Sequence, residues 1–95
     1  LQAVPALVRG GETVRIYWNT VNARTCTILG SNGDGAEGSP TGVWNTAFSG
    51  ASGKTTSPIS SQTTYTLLCH AFAGVIPPIV RESAIVNIIP SFQEL

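Results

Sequence analysis

Apolar and polar residues alternate along several short stretches of this chain. In residues 14–19 every second residue is large and apolar, and residues 63–72 repeat the alternation. A strand with one buried face has this period of two. Turn-forming residues such as Gly10-Gly11, Asn32-Gly33 and Pro77-Pro78 separate the runs. The pattern predicts seven strands, at residues 4–8, 14–18, 23–29, 43–48, 54–59, 63–72 and 80–89.

The number and length of these runs predict the fold class. No stretch places apolar residues at helical spacing over three turns. Seven short strands in 95 residues favour an all-β, immunoglobulin-like sandwich of about seven antiparallel strands. We expect a single domain over residues 1–95, with a core at 11–90, an N-terminal strand or arm at 1–9 and an exit linker at 91–95, after Pro90.

The two cysteines fall at inward positions of that alternation. Trp18, Tyr65 and Leu67 are predicted core residues, and Cys26 and Cys69 face the same interior from the third and sixth strands. These strands are neighbours in an immunoglobulin-like sandwich, so a disulfide is expected, with Trp18 above it. It would contribute about 4 kcal/mol and imply an oxidising compartment. Buried free thiols are the alternative, whereas metal or redox chemistry lacks the close cysteine spacing it needs.

Two motifs carry a resemblance to a known family. "WNTVNARTC" at residues 18–26 precedes "TTYTLLC" at residues 63–69, with Trp44, a Gly/Ser stretch at 49–53 and Gly74 beside them. Over about residues 11–90 the chain resembles the Ig-like modules of bacterial cell-surface and secreted proteins. The resemblance implies the fold, an extracellular location and occurrence as one module of a larger polypeptide. It implies no activity, because such modules serve as spacers, adhesive units or building blocks.

Charge and composition exclude several partners. Five basic residues balance five acidic ones and are dispersed, so no basic stripe is present to bind a nucleic acid. No apolar run approaches the roughly 20 residues that span a bilayer, and no signal-peptide pattern is present. Because the chain begins at Leu1, we expect a processed product or an excised piece of a longer protein.

The polar residues offer weak candidates for chemistry. Asp34 and Glu37 lie in the glycine-rich segment 30–42 and could offer oxygens to calcium, but two carboxylates are too few, so we expect a solvated, flexible connection and no metal. His70 faces outward without a recognisable catalytic partner, so no catalytic residue is assigned. Tyr17 and Trp44 could stack on a sugar, although packing within the domain is the commoner role.

Large apolar residues at outward positions are the most informative anomaly. They fall on the third, sixth and seventh predicted strands and in the connection 72–78. A contiguous apolar patch usually marks an interface. The alternatives are that the N-terminal segment folds over this face or that the strand register differs. The interface candidates are Leu29, Leu68, Phe72, Ile76, Ile85 and Ile89.

Two functions remain in view. The first is a non-catalytic structural or adhesive module of a bacterial cell-surface or secreted protein, with neighbouring modules of the same polypeptide or identical subunits as partners, as in an extracellular filament or surface layer. Strand addition by an apolar N-terminal arm would be one route to such a polymer. The alternative is a carbohydrate-binding or accessory module of a secreted enzyme, using Tyr17, Trp44 or residues 72–78. Neither requires a cofactor.

Overall fold

The computed structural model describes residues 1–89, which form two β-sheets and contain no helix. A three-stranded sheet has the order β1-β3-β5, and a four-stranded sheet has the order β2-β7-β6-β4. The all-β prediction is therefore confirmed. The predicted exit linker at 91–95 lies outside the described residues. The strands are β1 (Gln2–Val4), β2 (Leu7–Val8), β3 (Arg15–Tyr17), β4 (Ala23–Gly30), β5 (Lys54–Thr55), β6 (Thr63–Ala71) and β7 (Ile79–Ile88).

The long strands β4, β6 and β7 pair antiparallel and form the body of the four-stranded sheet. In this register Cys26 lies opposite Cys69, and Cys69 lies opposite Val80. The short strand β2 instead pairs with β7 in parallel. The prediction of antiparallel strands throughout is therefore wrong at this edge, because the N-terminal segment runs in the same direction as the last strand.

The N-terminal segment belongs to both sheets. Residues 4–8, predicted as one strand, divide at Pro5, with β1 pairing to β3 and β2 pairing to β7. Proline has no N–H group to donate to a ladder, so it suits the point where the chain changes sheet. The segment therefore pairs within its own domain and does not fold over the outer face of the four-stranded sheet, where Leu29 and Ile85 stay exposed.

Residues 43–48 form no strand, contrary to prediction. The Trp44 N–H donates to the Gly35 carbonyl at 3.3 Å, and the Trp44 carbonyl accepts from the Ile28 N–H at 3.0 Å. Further along, the Ala47 carbonyl accepts from the Thr20 N–H at 3.2 Å. The segment thus crosses from the edge of β4 toward the end of β3. Its backbone groups find partners in different segments, so no continuous ladder forms.

The predicted strand at 54–59 is regular only over β5. Beyond it, the Thr56 N–H donates to the Val14 carbonyl at 2.9 Å, and the Ile59 N–H donates to the Glu12 carbonyl at 2.8 Å. Residues 56–59 therefore still follow residues 12–14, but with irregular spacing. This arrangement buries Ile59 in the core without extending the three-stranded sheet.

The hydrophobic core lies between the sheets and includes Trp18, Tyr65 and Leu67, all of which are buried. The alternation of side chains along β3, β4 and β6 accounts for most of its members. Val8 of β2 also belongs to it. The core residues are Val8, Val14, Ile16, Trp18, Cys26, Ile28, Trp44, Ile59, Tyr65, Leu67, Cys69 and Val86.

Candidate functional site

The disulfide between Cys26 and Cys69 joins the edge strand β4 to its neighbour β6 in the four-stranded sheet. The two residues are directly opposite in the register, with Cα atoms 4.1 Å apart, and both are buried. The bond closes a loop with a sequence separation of 43 residues. Such a cross-link reduces the entropy of the unfolded chain, which stabilises the folded domain by about 4 kcal/mol on the loop-closure estimate, so the disulfide is a structural element of this domain.

Three aromatic rings form a row in the core. The Trp44 ring lies 6.3 Å from that of Trp18 and 6.0 Å from that of Tyr65, with the second pair stacked. The Trp18 Nε1 donates to the Thr46 carbonyl at 2.8 Å. Trp44 is only 3% exposed, so it is unavailable for stacking on a sugar. The hypothesis that Trp44 binds carbohydrate is therefore wrong.

A buried carboxylate joins the segment 30–42 to the rest of the domain. Asp34 is 2% exposed. Its Oδ1 accepts from the Ser57 hydroxyl at 2.6 Å, and its Oδ2 accepts from the Ser57 N–H at 3.0 Å and from the Tyr65 hydroxyl at 2.7 Å. Asn32 and Thr41 donate to the same carboxylate from within the segment. Asp34 therefore links three parts of the chain.

The hydrogen bonds also control the ionisation of Asp34. Burial alone raises its pKa, but the hydrogen bonds from Ser57, Tyr65 and Asn32 favour the charged form and bring the pKa below its ordinary value of 3.8. Burial, together with the neighbouring carboxylate, raises the pKa of Tyr65. The pair is therefore an ionised carboxylate and a neutral phenol at neutral pH.

The prediction of a solvated connection is consequently wrong at Asp34 and Gly35, both of which are buried. The sequence "SNGDG" contained a signal for this local structure, because the Asn32 side chain accepts from the Asp34 N–H at 3.1 Å in an Asx-type turn. Glu37, in contrast, is exposed. Over residues 1–89 no cluster of three His, Cys, Asp or Glu side chains is arranged to hold a metal.

His70 lies on the outer face of the four-stranded sheet, as predicted, and is exposed. Its neighbours across the strands are Thr25 on β4 and Ile79 on β7. These pairs place no carboxylate directly beside the imidazole.

The outer-face interface candidates are dispersed. Leu29 lies opposite Thr66, and Leu68 lies between Thr27 and Arg81. Ile85 lies opposite Thr64. Polar side chains thus separate the apolar ones, and Leu68 is half-buried. Ile89 is exposed just beyond β7. The outer face alone is therefore not a continuous apolar surface.

The other two interface candidates lie at one end of the domain. Phe72 and Ile76 belong to the β6–β7 connection, which meets residues 19–22 where the Phe72 N–H donates to the Asn22 carbonyl at 3.1 Å. Ile76 is 90% exposed. We call this surface, formed by Val21, Phe72, Val75, Ile76 and Val80, the apolar end.

A cavity opens beneath the apolar end. It has a volume of about 350 Å³, and its walls include Val21, Val75 and Val80 together with Leu67 and Cys69 of the core. Val80 projects inward from β7, as does its partner Cys69, yet it remains 42% exposed. The three-stranded sheet, whose strands span only two or three residues, does not extend over this part of the longer sheet.

A second cleft, of about 590 Å³, lies at the end of β3. Its walls include Tyr17, Asn19, Phe48 and Gln2, with the buried Trp18 among them. Phe48 is 60% exposed although it is a large aromatic residue. Tyr17 is the sugar-stacking candidate that the structure leaves accessible, and Phe48 is a neighbour that sequence reasoning missed because it was placed within a strand.

Comparison of the chain with protein-family models, curated proteins and solved structures gave no match. The resemblance to bacterial Ig-like modules therefore rests on the motifs at residues 18–26 and 63–69 and remains a prediction. Within residues 1–89 no helix is long and apolar enough to cross a membrane. The fold and the site together define a disulfide-linked, two-sheet all-β domain.

Proposed function

We propose that this chain is a non-catalytic, immunoglobulin-like module of a bacterial cell-surface or secreted protein, with a structural or adhesive role. The sheet orders β1-β3-β5 and β2-β7-β6-β4 support an immunoglobulin-like arrangement, since the N-terminal segment contributes to both sheets. The disulfide supports an oxidising, extracellular location. The motif resemblance agrees with both.

The apolar end is the observation that carries this proposal. Val80 occupies an inward position yet is exposed, and it lines the same cavity as Val21 and Val75. Ile76, next to Val75 in the chain, is 90% exposed. Large apolar residues exposed together at one end of a domain favour an interaction site. Burying one isoleucine or valine contributes about 1.5–3 kcal/mol. The proposed partner is therefore a neighbouring module of the same polypeptide or an identical subunit that covers this end.

The same geometry modifies the proposed route to a filament or surface layer. Strand addition by the N-terminal segment is disfavoured, because β1 and β2 already pair within their own domain. Contacts between the apolar end of one module and a different surface of the next would instead join modules head to tail. The absence of a carboxylate directly across from His70 supports a non-catalytic role.

Sedimentation equilibrium of the isolated domain tests the proposal. Modules joined by a short linker meet at effective concentrations of about 1 mM, so wild-type protein should self-associate near that concentration. The double variant Val21→Ser/Ile76→Ser should remain monomeric. The matched control is Leu29→Ser/Ile85→Ser, which removes two exposed apolar side chains from the outer sheet face and should self-associate like wild type.

Two results would count against the proposal. A wild-type domain that is monomeric at about 1 mM would remove the support for contacts between identical modules. Loss of association in Leu29→Ser/Ile85→Ser, but not in Val21→Ser/Ile76→Ser, would assign the contact to the outer sheet face instead. Urea unfolding of each variant establishes that the substitutions leave the domain folded.

A further inference from the structure

The cleft at the end of β3 brings four side chains to one surface. Gln2 is paired with Tyr17 across β1 and β3, and Asn19 is paired with Phe48 in an isolated bridge. Directly paired residues share a face of a sheet, and residues two apart on a strand do so as well. Tyr17 and Asn19 therefore project from the same outer face, with Gln2 and Phe48 beside them.

The two aromatic rings differ from those of the core row. Phe48 is exposed and Tyr17 is half-buried, whereas Trp18 between them faces inward and is buried. The Tyr17 ring lies close to Gly53, where a Cβ atom would come within 2.8 Å of Cε1. Glycine at that position leaves room for the ring. The position of the Tyr17 ring is thus set by the fold before any ligand arrives, which lowers the entropic cost of binding.

The chemistry of the lining selects the class of ligand. The side chains that line the cleft include no Asp, Glu, Lys, Arg or His, and the amino group of Leu1 is paired with Glu82 at 3.5 Å, so no charged side chain of the cleft is present to attract a charged ligand. The Ser49 hydroxyl already donates to the Gly50 carbonyl and accepts from the Trp18 N–H. The amides of Gln2 and Asn19 are both donors and acceptors. Such groups beside exposed aromatic faces suit a neutral molecule with apolar C–H faces and hydroxyl edges.

We propose that this cleft binds a neutral saccharide, with pyranose rings lying against Phe48 and Tyr17 and hydroxyl groups bonded to Gln2 and Asn19. A volume of about 590 Å³ falls within the range of small-molecule sites, roughly 300–1,000 Å³. The site lies on the outer face of the three-stranded sheet, whereas the apolar end lies at the β6–β7 connection. Asn19 lies in the walls of both cavities, but none of the residues replaced in the tests does, so substitutions at Phe48 or Tyr17 and at Val21 or Ile76 test the two proposals separately.

Amide NMR titration of the whole chain tests this site. The probes are the neutral trisaccharides cellotriose, chitotriose, maltotriose, mannotriose and xylotriose, each added to about 10 mM so that dissociation constants near 1 mM are measurable. At least one probe should shift the amide signals of Gln2, Tyr17, Asn19 and Phe48. Phe48→Ala and Tyr17→Ala should each weaken that binding roughly tenfold, which corresponds to about 1.4 kcal/mol.

Phe72→Ala is the matched control, because it removes an equally accessible phenylalanine at the apolar end and should leave saccharide affinity unchanged. Gln2→Ala provides a second test that keeps both rings and should also weaken binding. No shift with any of the five sugars would overturn the proposal, as would shifts confined to residues 72–78 or equal effects of Phe48→Ala and Phe72→Ala. Val21→Ser/Ile76→Ser should bind sugar normally, so failure of one proposal is distinguishable from failure of the other.

Discussion

Replacing Asp34 with asparagine should clearly lower the free energy of unfolding of the domain, although Asp34 lies in a glycine-rich loop. The substitution keeps the shape of the side chain but converts one oxygen into an N–H₂ donor. Oδ1 accepts from the hydroxyls of Ser57 and Thr41, and Oδ2 accepts from the Ser57 N–H, Tyr65 and Asn32. Whichever oxygen becomes the N–H₂ group, at least two hydrogen-bond donors of the protein then face that N–H₂ group instead of an acceptor.

The expected loss in free energy of unfolding is about 2–4 kcal/mol. A hydrogen bond to a charged group contributes about 1.5–3 kcal/mol, and hydroxyl groups that rotate toward other acceptors recover part of the loss. A chain of 95 residues has a total stability of roughly 5–14 kcal/mol. Loss of the Asp34 charge should therefore remove a substantial fraction of the stability of the domain.

Urea unfolding followed by tryptophan fluorescence measures this loss. Tyr65→Phe is the companion variant, because it removes one donor and keeps the ring stacked on Trp44. It should cost about 1–2 kcal/mol. The double variant should show a coupling energy of about 1 kcal/mol or more between the two residues. An Asp34→Asn protein within about 0.5 kcal/mol of wild type would refute the linking role of the carboxylate.

The pH dependence of stability provides a second measurement on the same residue. The pKa of Asp34 in the folded state lies below its ordinary value of 3.8, so near that pH the unfolded chain binds more protons. The contribution of Asp34 is therefore fully present well above pH 3.8 and is lost as the pH falls through the folded-state pKa. Asp34→Asn should show a weaker decline in acid than wild type, and an unchanged decline would contradict this assignment.

Three further predictions concern the covalent and steric supports of the core. Replacing Cys26 and Cys69 together with alanine should lower the unfolding free energy by about 4 kcal/mol, measured in urea without reductant; a loss below 1 kcal/mol would argue against the disulfide as a major support. Gly35→Ala should be far more destabilising than Gly38→Ala. Both glycines have φ of +81°, but only at Gly35 would a Cβ atom meet the Ile28 carbonyl; similar melting temperatures for the two variants would refute this. Trp44→Ala should cost about 3–5 kcal/mol in the same urea assay while leaving saccharide affinity unchanged in the folded fraction, and a selective loss of sugar binding would contradict its buried role.

The inward residues of the long strands could be predicted from the sequence because side-chain alternation is a local property. Trp18, Tyr65 and Leu67 are buried where the pattern places them, and the disulfide joins the predicted strands. The segment 43–48 has a similar apolar content, yet it forms no strand. Strand formation needs a continuous partner, and each backbone group of Trp44 bonds to a different segment.

The features of the candidate sites depended on contacts between distant residues. Asp34 is buried because Ser57 and Tyr65, 23 and 31 residues further along the chain, supply its hydrogen bonds. Phe48 and Gln2 meet beside Tyr17 only when separate parts of the chain assemble around β3. Periodicity and composition contain no information about such contacts.

The sequence alone determined the all-β class and the inward faces of the long strands, because both follow from local periodicity. It predicted the disulfide with buried free thiols as the alternative, and the structure shows the bond between Cys26 and Cys69. Only the tertiary structure decided which inward positions are covered. Val80 and Cys69 are paired on the same face, but Cys69 is buried and Val80 is exposed, because the burial of an inward position depends on which distant segments pack over it and not on the alternation along its own strand.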